Sequence, residues 1–431
     1  MFYLKEYGTD IKTEVLAGTT TFLTMAYIVI VNPVILGAAG VPFDQVFLAT
    51  IIAAVIGTLW MALFANYPIA IAPGMGLNAY FTSMVLASDG AIDYTTAFAA
   101  VFAAGLIFVA LSMTRLRKVL IEAIPENLKH AITAGIGLFI AFIGMRLSGI
   151  IVANEANLVG LGDLTAPPVA LTLVGLLITL IFMSLNIHGG IFFGMIVTGI
   201  IAFFTGQLKF EETILKLPSL PEGIIVWNPI EAFQLVIQYG LYGVVFSFLL
   251  VTLFDTTGTM IGVAKQAGLM KDNKMPRMRQ ALLADSVAAT AGAMLGTSPT
   301  SAYVESSAGV AAGGRTGLTT LTVAILFIAA AFFGPLVGAL SSVAAITAPA
   351  LIIVGSLMIG SVKQIEWDQF DEAFPAFLIV LAMPLTSSIA TGIALGFISY
   401  PLMKLFKGKA VHPILYVFAV LFAIQIIIAP H

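Results

Sequence analysis

The sequence predicts an all-α polytopic membrane protein with fourteen transmembrane segments arranged as two inverted repeats of seven. Composition is the first reason: of 431 residues, 60% are hydrophobic and 10% charged, whereas an ordinary soluble domain carries about 25% charge. The second is that runs of near twenty apolar residues recur along the chain, each long enough to cross a bilayer as a helix. The third is where the cations fall. With the N-terminus cytoplasmic, every Lys and Arg except Arg146, Lys209 and Lys216 lies in an inner loop or at an inner end, as the positive-inside rule requires. The net charge of -3 says nothing about nucleic acid, and the absence of cysteine rules out disulfide and thiol chemistry.

The N-terminal stretch MFYLKEYGTDIKTE is short, polar and mixed in charge. It has no cleavable signal pattern, so the first span serves as its own targeting signal. Hydropathy places spans at about 14–38, 45–66, 67–86, 95–114, 127–150, 168–186 and 190–207, which makes residues 1–208 the first repeat. Asn32-Pro33 reads as a helix interruption, because proline removes a backbone donor and restricts the residue before it. The densest inner loops carry Arg115, Arg117 and Lys118, then Lys271, Lys274, Arg277 and Arg279. A polar, Pro-bearing connector at 209–232 leads to the second repeat, 233–408. Its spans fall at about 233–256, 281–296, 297–313, 317–338, 346–361, 372–388 and 389–406. The apolar tail, 409–431, either crosses the membrane or lies along its interface.

An odd number of spans per half makes the second half enter from the opposite face, the logic of many secondary transporters. Internal similarity agrees: LATIIAAVIGTLW at Leu48 resembles LADSVAATAGAML at Leu283, with Gly57 facing Gly292. Each is followed by a Pro/Gly-broken segment, IAPGMGLNAYFT in the first half and TSPTSAYVESSAG in the second. Paired interruptions at corresponding positions point to a binding site; the plainer reading is two small-residue packing helices.

Two carboxylates stand out. Glu305 lies in the second broken segment and Asp255 in VTLFDTTGT. An acid at bilayer depth costs roughly 2.5 to 3.5 kcal/mol on insertion scales, so a membrane chain keeps one mainly where it lines a cavity. Burial disfavours the charged form, so one acid can carry a proton while the other accepts from ring N–H donors of a planar heterocycle. The structural alternative is that both are neutralised by protonation or a nearby hydroxyl. Asn78 offers a donor and an acceptor in the first broken segment, and reads equally well as a helix–helix hydrogen bond. Tyr303 could stack on a flat ligand or pack in the core. Asp285 sits near an inner helix start, Glu372 reads as an interfacial anchor and Arg315 as a positive-inside determinant. His130 and His188 have no metal-ligand spacing, and no Gly-rich phosphate loop ending in Lys-Ser/Thr is present, so an ion gradient or passive movement is the expected driving force.

TTFLTMAYIVIVNPVIL, IAPGMGLNAYF, LVTLFDTTGTMIGVA, YVESSAGVAAGGRTGLT and PAFLIVLAMPLTSSIATGIALGFISY together resemble the adenine/guanine/hypoxanthine permeases, the AzgA-like branch of the nucleobase:cation symporter-2 superfamily. The resemblance runs from about Thr13 to Tyr416. It implies a uracil-permease-type fold, with spans 1–4 and 8–11 as a core domain and spans 5–7 and 12–14 as a gate domain. Purine would bind between them. On that pattern Asp255 and Glu305 match the acids that engage the base, and Asn78 and Tyr303 match polar and aromatic positions on the crossing segments. Short extended pieces around Ala79 and Ala302, in spans 3 and 10, would add backbone hydrogen bonds. Pro299 departs from the pattern, as does the apolar tail.

The resulting expectation is a multi-pass protein of the cytoplasmic membrane. It would import neutral purine bases with a proton, Asp255 and Glu305 binding the ring and at least one of them titrating, with sodium as the alternative ion. No cofactor, nucleic acid or enzymatic activity is expected; the partners are the base and membrane lipid, and a homodimer is compatible with the reading. An anion exchanger on the same architecture is the rival, but it would need a positive site where these segments carry acids. An intramembrane hydrolase would need a metal or nucleophile that the sequence does not display.

Overall fold

The computed structural model describes residues 2–114, 120, 123–210, 213–271 and 275–428. The inner-loop cations Arg115, Arg117, Lys118 and Lys274, and residues 429–431 of the tail, lie outside the described residues. The first half contains α1 (Ile11–Met25), α2 (Ile28–Gly37), α3 (Phe43–Trp60, ending in a π-helical turn), β1 (Ile71–Pro73), α4 (Met75–Ala87), α5 (Tyr94–Met113), α6 (Glu126–Leu147), an exposed ribbon of β2 (Ile151–Asn154) and β3 (Leu158–Leu161), α7 (Pro167–Ser184) and α8 (Gly190–Phe204). The second half contains α9 (Pro229–Gln238), α10 (Tyr242–Gln266), α11 (Met278–Leu295), β4 (Thr300–Ala302), α12 (Ser306–Ala311), α13 (Gly317–Ala330), α14 (Gly334–Ser341), α15 (Ala344–Met358), α16 (Phe370–Leu385), α17 (Ile389–Phe406) and α18 (Pro413–Ile428).

Among the described residues, nine helical stretches are long and apolar enough to cross a membrane on their own. The expected spans at 67–86 and 297–313 are strand-plus-helix units, β1–α4 and β4–α12, each with a short extended piece as the resemblance implies. Span 233–256 is also redrawn. Gly240 adopts a left-handed φ of 64° that ends α9, so the long helix runs from Tyr242 to Gln266 and Asp255 stands in its middle. The interruption expected at Asn32-Pro33 falls earlier, at Ala26–Tyr27, where Val29 and Ile30 donate to carbonyls only three residues back. Pro33, inside α2, has no N–H to offer the Val29 carbonyl, and the two three-residue bonds tighten the preceding turn.

The helices form two sets that pack mainly within themselves. In one, α1 packs on α13, α3 on α11 and α13, and α5 on α10 and α11. In the other, α6 lies against α15 and α16, α7 against α8 and α15, and α17 against α16 and α18. The sets meet where α2, α4 and α10 face α6, α15 and α17. Within the first set α3 and α11 cross at close range. A Cβ at Gly57 would come within 2.9 Å of the Ala288 Cβ, and one at Gly292 within 3.1 Å of the Ala53 Cβ. Only the absent side chains allow that approach.

Residues expected on the inner side gather at one end. Arg277 donates to the Tyr7 hydroxyl (3.2 Å) and lies over the Tyr67 ring. Glu14, buried, accepts from the backbone N–H groups of Arg315 (2.9 Å) and Thr319 (3.1 Å), capping α13. Lys216, expected outside, pairs with Asp44 (3.6 Å) at the opposite end. The Arg315 guanidinium, read from sequence as a topology determinant, donates to the carbonyls of Val310 and Gly314, closing the end of α12. The tail helix α18 runs back along α17. Phe418 and Phe422 touch Phe397 at ring separations of 5.9 and 5.7 Å, and Ile426 reaches the level of Ala390 and Thr391 at the start of α17. The same two rings touch Phe246 of α10, at 4.7 and 5.3 Å, so α18 spans both sets.

Candidate functional site

The site is built around two interrupted crossings. Pro73 and Pro299 deny the chain helical donors, and the segments beside them run extended and antiparallel, with Ile71 opposite Ala302, Ala72 opposite Ser301 and Pro73 opposite Thr300. Two further bonds extend the pair: Gly74 N donates to the Pro299 carbonyl (2.9 Å) and Tyr303 N to the Ala70 carbonyl (3.0 Å). Extended backbone at membrane depth survives only where its polar groups are met inside the protein. Thr58 donates to the Ile71 carbonyl and accepts from its N–H (3.0 and 3.1 Å), Ser306 accepts from Ala70 N (3.0 Å), and Thr256 accepts from Ala302 N (3.4 Å).

Around this crossing lie three carboxylates. Asp255, on α10 and half-buried, has the Ser301 hydroxyl as its neighbour. Glu305, just before α12, accepts from the Tyr27 hydroxyl at 2.6 Å. Asp285, on α11, is fully buried and accepts from Thr256 at 2.5 Å and from Thr300 at 2.6 Å. Asp285 and Glu305 are each close enough to Asp255 to feel its charge. Among the described residues none of the three acids forms an ion pair.

Asp255 opens on a narrow cleft between the two helix sets, walled by Leu77 of α4 and Phe254 of α10 on one side and by Lys129, Thr133 and Ile136 of α6 on the other. Its open space is about 20 Å³, room for one water. Lys129 is occupied at its rim: it pairs with Glu126 (2.7 Å) and lies 5.7 Å from the Phe254 ring.

The other expected site residues take supporting positions. Asn78 is fully buried in α4; its Nδ2 donates to Asn32 Oδ1 (2.9 Å), while its own Oδ1 has no partner among the described residues. Asn32 in turn donates to Thr50 (2.7 Å) and Thr297 (2.8 Å). Tyr303 is buried and its hydroxyl donates to the Pro73 carbonyl (2.6 Å), stitching one interrupted segment to the other. Ala302 lies in β4 as expected, but Ala79 does not lie in an extended piece. The strand occupies Ile71–Pro73 and the helix restarts at Met75, so the N–H of Ala79 belongs to an intrahelical bond. Glu372 is no interfacial anchor: it is buried, accepting from Asn127 (2.6 Å) and Tyr400 (3.0 Å) and contacting Lys404.

Tyr27, Thr256 and Asp285 were not among the residues singled out for binding. Asp285 carried a usable signal, an unpaired acid in an apolar run like that around Glu305. The helix starts at Met278 rather than at 281, which sets Asp285 a further turn inside α11. Tyr27 carried none, since one aromatic in an apolar run looks like any other.

The chain matches the Permease family (Xan_ur_permease) over residues 12–395. It is 68% identical over 431 residues to the guanine/hypoxanthine permease PbuO of Bacillus subtilis (strain 168), covering 99% of this chain and 100% of that protein. To the adenine permease AdeP of Escherichia coli (strain K12) it is 43% identical, covering 99% and 95%. The transmembrane domain of the cyanobacterial bicarbonate transporter BicA superimposes with a TM-score of 0.64 over 88% of this chain and 97% of that one, at 17% identity, a likeness of fold alone. The chain therefore belongs to the Permease family and is a multi-pass membrane transporter rather than an enzyme.

Proposed function

We propose that the protein imports purine nucleobases by proton symport through alternating access. The observation that carries this reading is a pair of acids without an ion pair among the described residues, Asp255 lining the cleft where two helix sets meet and Glu305 beside the same strand crossing. Carboxylates in that position suit a neutral ring bearing N–H donors, and a proton can neutralise one of them in the cycle. The similarity to guanine/hypoxanthine and adenine permeases supports a purine as that ring.

The fourteen-crossing count treats β1–α4 and β4–α12 as crossings. The reciprocal contacts at α3 and α11, Gly57 on Ala288 and Gly292 on Ala53, support two repeats related by an in-plane axis. The repeats occupy 1–208 and 233–408, joined by 209–232 and followed by the 409–431 tail. The set containing α1–α5 and α10–α13 acts as core, and the set containing α6–α8 and α15–α17 as gate. Space for a single water beside Asp255 means that the sets must part to admit a base, by an elevator or rocking movement. The chain lies in the cytoplasmic membrane with its N-terminus inside.

The test is uptake of labelled adenine, guanine, hypoxanthine and uracil into proteoliposomes, with proton and sodium gradients imposed separately. Purine uptake driven by the proton gradient, and lost in Glu305→Gln and Asp255→Asn, is the expected result. Unchanged pH dependence in both variants, or uptake of chloride without purine, overturns it.

A further inference from the structure

A second cavity lies near the start of α17, about 490 Å³ in volume, within the range of small-molecule sites. On one side it is walled by Ser83 of α4 and Val244 of α10, and on the other by Thr386, Ser388 and Thr391 of the α16–α17 turn. It is therefore bounded by both helix sets, as the carboxylate cleft is. No acidic or basic side chain is among its described lining residues, so it suits a neutral solute. Ser83 and Thr386 donate to carbonyls of their own helices (3.0 and 2.7 Å), which leaves their oxygens free to accept. Tyr80 lines the cavity wall, and its buried hydroxyl, with that of Ser247 as polar neighbour, makes no hydrogen bond of normal geometry among the described residues.

The two cavities are stacked along the same pair of helices. On α4, Tyr80 lines the larger one and Leu77 the cleft, a rise of about 4.5 Å along the axis. On α10, Val244 belongs to the larger cavity and Val251 to the cleft, with Phe248 between them. Tyr80 and Phe248 are both buried and touch at a ring separation of 4.7 Å. Along both helices this aromatic pair stands between the two cavities.

We infer that the larger cavity is an antechamber, a second binding site for a neutral planar heterocycle in line with the carboxylate cleft and divided from it by Tyr80 and Phe248. The inference rests on the purine-transport reading. The hydroxyl oxygens accept from ring N–H groups, and Tyr80 donates to a ring nitrogen or carbonyl. Passage to the carboxylates then requires the Tyr80–Phe248 contact to open.

Because the chain contains no cysteine, Thr391→Cys introduces a unique thiol at the antechamber, and Ser83→Cys supplies a second position should the first not give a monodisperse protein. The rate of alkylation by N-ethylmaleimide is measured in proteoliposomes with and without hypoxanthine, in the parent and in a Glu305→Gln background. Saturating hypoxanthine is expected to slow alkylation several-fold in both backgrounds. Adding Tyr80→Phe should raise the concentration needed for half protection by roughly 2- to 10-fold, the loss of one neutral hydrogen bond. Protection in the parent alone overturns the inference, because it would report occupancy of the carboxylate site; absence of protection in both backgrounds overturns it as well. Purine uptake by the parent, measured in the same vesicles, separates these failures from failure of the transport reading itself.

Discussion

Tyr27→Phe removes one oxygen atom and leaves the packing of its ring. The lost hydroxyl donates to Glu305 at 2.6 Å, from the tightened turn between α1 and α2. A hydrogen bond to a charged acceptor contributes about 1.5 to 3 kcal/mol, and one to a neutral acceptor about 0.5 to 1.5. The variant therefore disfavours ionised Glu305 over protonated Glu305 by about 1 to 1.5 kcal/mol, which is close to one pH unit. The sign follows from which form loses more. Protonation is achieved at lower proton activity, so the pH of half-maximal purine uptake should rise by about one unit. The assay is initial uptake of labelled hypoxanthine into proteoliposomes over a series of external pH values, at fixed proton gradient. The expected shift takes Glu305, of the two acids, as the one that titrates; a profile that stays within roughly 0.3 unit of the parent, or moves to lower pH, would refute that choice.

Two other outcomes can be read from stability. Asp371 is buried beneath Lys404, Lys407 and Lys409, at 2.6, 2.5 and 2.9 Å, and these ammonium groups hold its carboxyl well below the usual carboxylate range. A depressed value contributes stability above the unfolded pKa that is lost only as pH falls through the folded one. The thermal midpoint should thus be insensitive to Asp371 between pH 5 and 8, and Asp371→Asn, which leaves buried Lys404 paired with Glu372 and frees two half-exposed lysines, should lower stability at pH 7 by about 1 to 3 kcal/mol; equal midpoints in detergent would count against the network. Gly57→Ala places a Cβ 2.8 Å from that of Ile71 and 2.9 Å from that of Ala288, an overpacking that costs about 1 to 3 kcal/mol. Combining it with Ala288→Gly should recover part of that loss, whereas an additive double variant would mean that the two residues do not meet.

The parts of the fold legible in the sequence were those marked by a conflict with lipid. Apolar runs announced the crossings, Pro73 and Pro299 announced the two interruptions, and Asp255 and Glu305 were conspicuous as acids in hydrophobic surroundings. The pairing of β1 with β4 was not legible, because three residues on each side carry no alternation to read. Asn78 shows a different limit: its residue type allows either ligand or structural bonding. Here its donor is committed to Asn32 while its acceptor stays free, a division that only the side-chain geometry decides. Lys129 was counted with the loop cations, yet its stem lines the cleft beside Asp255, since a lysine near a helix start can reach inward along its methylenes.

The tail helix has a consequence for experiments that watch the protein work. With the proposed fourteen crossings and inner N-terminus ahead of it, α18, which retraces α17 and wedges Phe418 and Phe422 between Phe246 and Phe397, would deliver a reporter fused after it to the face of the membrane opposite the N-terminus. There a phosphatase should be active and a green fluorescent protein dark. The same four rings offer a ready strain gauge: a fluorophore on α18 opposite one on α10 should brighten or dim with each turnover, if that phenylalanine knot slips as base is carried across.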